Sequence, residues 1–375
     1  MPKLRHIFFL LLLLGVLWHF YGEAFQKSGF SGTIDEMKSD IEGIKENPSV
    51  ALTIDTIKQE IELLWNQFSK DKQDDTPTTP VPDAPNLQQP TEQTFSVYNI
   101  EIGDTRAEVE KQLSEPKRST LNEYGVEWVT YHENYHNFLM VAFDSSDQVA
   151  GLYTNQDLLT STAGITFNST RDEVLSTLDD PIKAIRKGRI LYQVQDTKEY
   201  NTFLIDNNYV TIFYDIHENN TVTAIQMISA ELEKEKKAFF GKPNSDLKEG
   251  LEYQLFDLTN AARVNHGLPV LSWEEPLRKT AQDHSADMAK NNYFSHENLE
   301  GKSPFDRMAD DAISYRAAGE NLATGQPSSI FAHEGLMNSL GHRENILKTE
   351  FESLAVGVAF NSDNQPFYTE NFLMK

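Results

Sequence analysis

The sequence predicts a mixed α/β protein, in which an α/β layered C-terminal domain follows a duplicated α+β domain and an N-terminal membrane-anchor helix. Three observations predict this arrangement. An apolar run follows basic residues at the N-terminus, a helix-and-strand pattern occurs twice between residues 95 and 232, and helical spacing from residue 245 gives way to strand-like runs. The predicted segments are a signal anchor (1–26), a helical stalk (27–70), a Pro-rich linker (71–94), the duplicated domain (95–232) and the C-terminal domain (245–375).

The composition excludes several classes of protein. The 375 residues carry a formal net charge of -24 and no cysteine. Nucleic-acid binders neutralise phosphates with Lys and Arg, so nucleic acid is excluded as a partner. Without cysteine there are no disulfides, cysteine nucleophiles or thiolate metal sites. We attribute the acidity to solubility.

The N-terminal segment has the charge order of an export signal. Lys3 and Arg5 precede an apolar run from Ile7 to Tyr21, and no small-residue cleavage site follows it. We therefore expect an uncleaved anchor in the cell membrane, with a single pass and extracellular C-terminal domains. The alternative is a protein secreted after signal cleavage.

The stalk and the linker differ in composition. From residue 28 to 70, apolar residues recur at gaps of 3 and 4, which is typical of an amphipathic helix and would allow a homodimer through the stalk. The five prolines between residues 71 and 94 predict an extended spacer.

An internal repeat predicts the duplicated domain. "TRAEVEKQLSEP" begins at Thr105 and "TRDEVLSTLDDP" at Thr170, 65 positions later. In both, Glu follows Thr after three residues, at Glu108 and Glu173, which is the capping-box signature of a helix start. Strand-rich runs follow each predicted helix, so each unit is read as a capped helix and an antiparallel meander.

The stretch "HENYH" has the HExxH spacing of zinc peptidases at His132, Glu133 and His136. On a helix the two histidines would share a face and reach one metal. Here the flanking runs "EWVTY" and "NFLMVAF" are strand-like, so we predict a solvated hairpin loop and no catalytic zinc.

The C-terminal third carries denser motifs. Residues with helical spacing precede Gly267, where the first predicted helix ends. A second predicted helix places His284 on its apolar stripe. The runs "LAVGVAF" and "FYTENFL" predict a terminal hairpin. We interpret His284 as a hydrogen-bonded structural histidine. No Ser-His-Asp triad or GxSxG elbow is evident.

The motifs "DHSADMAKNNYFSH", "AGENLATGQ", "MNSLGHRENIL" and "FYTENF" resemble the bacterial branch of the CAP superfamily, which is named for cysteine-rich secretory, antigen 5 and pathogenesis-related proteins and is also called SCP-like. The resemblance covers about residues 248–375 and implies an α/β/α sandwich. Residues 95–232 resemble the CAP-associated domain that precedes it in some bacterial surface proteins.

The resemblance implies a cleft lined by His296, His342 and Glu320. The family's second acid corresponds to Ser339 here, so its tetrad is incomplete; Glu334, on another part of the same helix, is the alternative acid. The nearby side chains of Ser295, Asn321 and Ser339 are hydrogen-bonding candidates.

The same residues allow two chemical interpretations. His296 and His342 with Glu320 would form a three-ligand set for Zn²⁺ or another divalent cation if they converge. Otherwise they line a binding cleft or support loops.

We expect a binding module rather than an enzyme, with a cell-envelope component or surface protein as partner. The alternatives are a metal-dependent, peptidase-like hydrolase and a structural surface scaffold.

Overall fold

The computed structural model describes residues 82–375 except 114, 195 and 196. The predicted anchor, the stalk and residues 71–81 of the Pro-rich linker lie outside these described residues. Within the described part of the chain, no helix is both long and apolar enough to cross a membrane.

The first half of the described chain is rich in strands. Its elements are β1 (Phe95–Val97), α1 (Arg106–Gln112), β2 (Arg118–Leu121), β3 (Glu127–Glu133), β4 (His136–Phe143), β5 (Val149–Thr154), β6 (Leu159–Ser161), α2 (Arg171–Thr177), β7 (Ala184–Lys187), β8 (Ile190–Gln193), β9 (Tyr200–Ile205), β10 (Asn208–Asp215), β11 (Thr221–Ser229) and α3 (Ala230–Glu235).

A seven-stranded antiparallel sheet organises this half, in the order β2-β3-β4-β5-β11-β10-β9. The meander β3-β4-β5 therefore joins the meander β9-β10-β11 through the pairing of β5 with β11. Strands β1 and β6 pair separately, as do β7 and β8.

Both predicted capping boxes are present. The side chains of Thr105 and Thr170 each accept a hydrogen bond from the backbone N–H of the Glu three residues later, and that Glu accepts one in return. These bonds satisfy N–H groups that a helix start leaves without partners. Val109 and Val174 then bury the inner faces of α1 and α2 in one apolar cluster with the sheet.

The HENYH stretch is a hairpin turn, as predicted. Glu133 pairs with His136, and the two intervening residues have positive φ. The turn is not simply solvated, however, because the ring of His132 stacks on Tyr135 at 4.1 Å and the Tyr135 hydroxyl donates to Asp257 at 2.9 Å. Burial, followed by the charges of nearby basic residues, lowers the pKa of His132 to about 4. This histidine is therefore a neutral packing group.

The second half contains nine elements. They are α4 (Ser245–Asn265), β12 (Ser272–Trp273), α5 (Glu275–Asn291), α6 (Pro304–Asp310), β13 (Ala317–Thr324), α7 (Ser329–Asn338), α8 (Leu340–Ile346), β14 (Ser353–Phe360) and β15 (Pro366–Met374). The sheet order is β12-β14-β15-β13, and the predicted terminal hairpin is the antiparallel pair β14–β15.

Helices cover both faces of this smaller sheet. Apolar residues of α4, α7 and α8 form one cluster against it, which includes Leu255, Leu336 and Ile346. Leu277 of α5 and Met308 of α6 lie in another cluster with residues of β14 and β15. The result is a layered α/β/α arrangement.

The two halves share a hydrophobic core. Leu258 and Ala261 of α4 and Ile330 of α7 pack in one buried cluster with ten residues of the first half. Those ten are Trp128, Phe138, Met140, Ala142, Ala150, Tyr153, Phe213, Ala224, Ile228 and Leu232. One face of the large sheet thus packs on α1 and α2 and the other on the second half, so the halves lose apolar burial if they separate.

Polar contacts fix the register of this junction. Arg118 Nε lies 2.8 Å from Asp257 Oδ2, and Arg343 pairs with Asp215 at 2.7 Å. The Tyr153 hydroxyl donates to Glu334 at 2.6 Å. Burial raises the pKa of Glu334 to about 7. Glu334 therefore belongs to the junction with the large sheet and does not supply the acid missing from the cleft.

A close backbone approach at the junction occurs at Gly250 of α4. A Cβ there would lie 2.1 Å from the carbonyl oxygen of Leu121, in β2. Backbone atoms on both sides leave no flexible group to move aside. Only glycine allows the helix to lie this close to the strand.

We predict that Gly250→Ala lowers the free energy of unfolding by about 3 kcal/mol or more, since overpacking against backbone forces the halves apart. Gly341→Ala in α8 is the matched control, because a Cβ there meets nothing within 4 Å. Denaturant unfolding of the two variants and the parent protein measures the difference. Equal stability of Gly250→Ala and the parent would contradict the described packing.

Candidate functional site

The site forms where the loop after α5, strand β13 and the helix pair α7–α8 meet. His296 lies in the loop, Glu320 on β13, and His342 on α8. Nδ1 of His296 is 2.9 Å from Oε1 of Glu320. The Glu320 side chain is only 2% exposed, whereas that of His296 is 52% exposed. The buried carboxylate of Glu320 thus holds the exposed imidazole of His296 in place.

Arg307 of α6 completes this contact. Its guanidinium donates to Oε2 of Glu320 at 2.6 Å and to the backbone carbonyl of His296 at 2.7 Å. Both carboxylate oxygens of Glu320 therefore have a nitrogen partner. Because the carboxylate and Arg307 are both buried, their charges must be paired. The pairing fixes the loop that carries His296.

The ring of His342 contacts the residue at which its own helix, α8, begins. Nδ1 of His342 is 2.7 Å from the hydroxyl of Ser339, the residue that joins α7 and α8. Asn321, next to Glu320 on β13, donates to the His342 carbonyl at 3.2 Å. Asn345 of α8 donates to the carbonyl of Glu320 at 3.3 Å. These bonds join α8 to β13 and bring His342 to the same site as His296.

Electrostatics agree with this convergence. The pKa of His342 is lowered by burial and, to a smaller extent, by the charge of His296. The charges of the two imidazoles therefore interact. With Nδ1 of each ring engaged, Nε2 of each ring is left for a ligand.

A buried carboxyl group lies behind the site. Glu370 of β15 accepts from the Thr259 hydroxyl at 2.8 Å and from Asn321 at 3.0 Å. Burial raises the pKa of Glu370 to about 7. It holds Asn321 in place, and through Asn321 it supports the backbone of His342.

The two other predicted residues have structural roles. Nε2 of His284 is 3.0 Å from the carbonyl oxygen of Ser295, so the interpretation of His284 as a hydrogen-bonded histidine is confirmed. The hydroxyl of Ser295 accepts from the N–H of Glu297. Both residues shape the loop immediately before His296.

The side chains do not fit the three-ligand metal set predicted from His296, His342 and Glu320. A metal would have to displace Arg307 or His296 from a buried carboxylate whose two oxygens are both engaged. Within the described ranges, no group of three or more His, Cys, Asp or Glu side chains is placed to hold a metal ion. Ser339, at the position of the family's second acid, adds a hydroxyl and no charge. The arrangement favours recognition through hydrogen bonds.

Comparison with protein families identifies both halves. Residues 102–239 match the CAP-associated N-terminal family, and residues 256–372 match the cysteine-rich secretory protein family. The chain is a CAP-domain protein of the bacterial type. The resemblance seen in the sequence is thereby confirmed.

The CAP-domain protein has relatives in Bacillus subtilis. It is 27% identical over 292 residues to the "Uncharacterized membrane protein YlbC", across 73% of this chain and 82% of the relative. It is 40% identical over 124 residues to the "Uncharacterized protein YkwD", across 33% of this chain and 47% of that relative.

Solved structures share the fold of the CAP-domain protein. An extracellular protein containing a SCP domain from Bacillus anthracis has a TM-score of 0.64 at 25% identity, and the match covers 79% of this chain and all of that one. A cysteine-rich secretory protein from Staphylococcus aureus has a TM-score of 0.60 at 14% identity, over 76% of this chain and 98% of that one.

The sequence did not indicate the roles of some residues of the CAP site. Arg307 lies within "KSPFDRM", a motif that resembles the CAP family, but nothing in its spacing indicates Glu320 as a partner. Glu370 lies in an apolar strand, where a lone acidic residue is the available hint of burial with a partner. Only the fold brings them to the site.

We predict that His296→Gln raises the pKa of His342, because it removes the positive charge that disfavours the protonated form of His342. The glutamine side chain introduced in this variant still has an N–H group that can donate to Glu320. The pKa of His342 should stay below its usual value, since burial is the larger cause of the shift. NMR titration of the ring protons measures it, with His136→Gln as control. An unchanged His342 pKa in His296→Gln would show that the two rings are not neighbours.

Proposed function

We propose that this CAP-domain protein is a membrane-anchored extracellular binding module, which holds a cell-envelope component or surface protein in its cleft. The observation that carries the proposal is the Arg307–Glu320–His296 chain. It presents a half-exposed imidazole on a buried carboxylate whose two oxygens are both paired. Such a support fixes the ring for recognition at little entropic cost on binding.

The same contacts among Arg307, Glu320 and His296 disfavour a hydrolytic function. A general base must accept a proton from a reacting group, and both oxygens of the Glu320 carboxylate are already occupied by nitrogen donors. The family's second acid is replaced by Ser339, whose hydroxyl contacts His342. A metal-dependent hydrolase would need ligands that the described side chains do not supply.

Exposed apolar side chains accompany the site. Phe294 is 50% exposed two residues before His296, and Leu340 is 60% exposed two residues before His342. Leu299 and Phe305, at 66% and 49%, lie in the following loop and at the start of α6. Apolar groups at the edge of a polar cleft are typical of a surface that meets a partner. The proposed partner therefore offers both hydrogen-bonding and apolar groups.

The membrane anchor and the stalk belong to the proposal, although they lie outside the described residues. The apolar run after Lys3 and Arg5 supports the anchor. A relative that covers most of this chain is called a membrane protein, and a structural neighbour is called extracellular. The homodimer through the stalk stays a prediction. So does the duplication within residues 95–232, supported by the two equivalent capping boxes.

Binding is tested with the full-length protein and envelope fractions from the cells that produce it. We expect co-sedimentation that His296→Gln weakens about tenfold, which corresponds to roughly 1.4 kcal/mol. His136→Gln, in the distant hairpin, is the control and should bind normally. Prior treatment with a chelator should change nothing. Release of soluble wall or peptide fragments by the parent protein, abolished by His296→Gln, would replace this proposal with the hydrolase.

Anchoring is tested by cell fractionation. The full-length protein is expected in the membrane pellet after alkaline washing, because an apolar helix in the bilayer is not extracted by pH or salt. Protease added to intact cells should degrade residues 82–375. Recovery of the protein from the culture medium would instead support the secreted alternative.

A further inference from the structure

A second site is suggested by a cavity between the CAP-associated domain and the CAP domain. This interdomain cavity has a volume of about 390 Å³, within the range of small-ligand sites. It is bounded by strands β9 to β11, the hairpin β7–β8, the end of α3, the loop Thr324–Pro327 and α7. None of the cleft residues His296, Glu320 or His342 lines it.

The floor of the interdomain cavity is a polar row across three strands. Thr202, Thr211 and Gln226 lie side by side in the strand register, and the two threonine hydroxyls are 2.9 Å apart. Gln226 is 2% exposed, and its Nε2 has no hydrogen-bond partner among the described residues. A buried amide donor without an acceptor is costly, so its presence at a cavity indicates a ligand acceptor.

The CAP side of the cavity carries the complementary group. Gln326, in the loop after β13, also lines the cavity, and its buried Oε1 has no partner in the described part of the chain. Both unpaired atoms are covered in the unliganded cavity, so each side chain must turn about its terminal torsion angles to present the amide N–H of Gln226 or the amide C=O of Gln326 to a ligand. A ligand group that both accepts and donates would satisfy the two, and a secondary amide does so.

Aromatic rings form much of the remaining wall. Tyr200 and Phe331 meet edge to face at 5.3 Å, and Tyr192 and Phe239 stack at 6.5 Å. Phe239 is 41% exposed and marks the outer rim. The aromatic lining comprises Tyr124, Tyr192, Tyr200, Tyr209, Phe239 and Phe331. Ring faces of this kind pack against the C–H faces of a sugar ring, and tyrosine and threonine hydroxyls bind its hydroxyl groups.

The charges of the cavity are balanced. Two lysines and two glutamates line it, namely Lys187, Lys236, Glu199 and Glu233. Lys187 is already paired with Glu233 at 2.5 Å and donates to the carbonyl of Lys236 at 2.8 Å. An anionic ligand would have to break these contacts, and a cationic ligand would find only Glu199 outside them. The cavity thus suits an uncharged molecule.

We propose that the interdomain cavity binds a neutral saccharide that carries an acetamido group. The acetamido group bridges Gln226 and Gln326, while the sugar ring packs among the aromatic side chains. An extended peptide also has secondary amides, but it binds best along a free strand edge. The outer edge of β9 is partly taken, since the N–H of Ile182 donates to the carbonyl of Thr202. A compact ring fits a cavity of this volume better.

The test uses the full-length protein and three probes in calorimetric titration: N,N′-diacetylchitobiose, cellobiose, which lacks the acetamido groups, and an N-acetylated dipeptide amide. Gln226→Met and Gln326→Met remove the amides and keep the side-chain length. Gln148→Met, at an exposed turn between β4 and β5, is the matched control. Because Gln226→Met removes an unpaired buried polar atom, its thermal stability should be equal to or above that of the parent protein.

We expect diacetylchitobiose to bind at least about tenfold more tightly than cellobiose, because cellobiose lacks the acetamido groups and leaves the amides of Gln226 and Gln326 without a partner. Each cavity variant should lose this preference. Gln148→Met and the cleft variant His296→Gln should retain it, which separates this site from the proposed cleft function. Equal binding of the two sugars, no sugar binding, or loss of binding in His296→Gln would overturn the proposal. Dipeptide binding that depends on Gln226, without sugar binding, would overturn it in favour of a peptide.

Discussion

The apolar contact between the seven-stranded sheet and helices α4 and α7 is the interaction on which the rest of the structure depends. Leu258, Ala261 and Ile330 complete a core that neither half closes by itself. Gly250 permits the approach, and the Tyr153–Glu334 bond fixes α7 against the sheet. Polar groups in this buried setting are strongly selective for one alignment because any other leaves them unpaired. The CAP-associated domain is therefore part of the structure that supports the CAP domain.

This junction also positions the cleft. Helix α7 is held by the large sheet at Glu334 and ends at Ser339, whose hydroxyl meets His342. Strand β13 carries Glu320, and its following loop carries Gln326 at the interdomain cavity. The two proposed sites are thus attached to the same helix and the same strand. A ligand in the interdomain cavity would touch both domains.

Local signals in the sequence predicted local structure well. The capping boxes at Thr105 and Thr170, the HENYH hairpin and the terminal hairpin all follow from short-range chemistry. The resemblance to CAP proteins placed His296, Glu320 and His342 in one site. Long-range partners could not be predicted, because no spacing relates Arg307 to Glu320, Tyr135 to Asp257 or Glu370 to Asn321. The metal prediction rested on ligand types that are visible in the sequence, whereas Arg307, which pairs with the Glu320 carboxylate, was not visible there as its partner.

The two domains are expected to form one cooperative unit through their shared core. Native-state hydrogen exchange of the full-length protein, read by mass spectrometry, tests it most directly, since the slowest amides report global unfolding. We expect the most protected amides of β4 and β10 and those of α4 and β15 to exchange with the same opening free energy. Complete exchange of one domain at a clearly lower free energy, while the other stays protected, would contradict it.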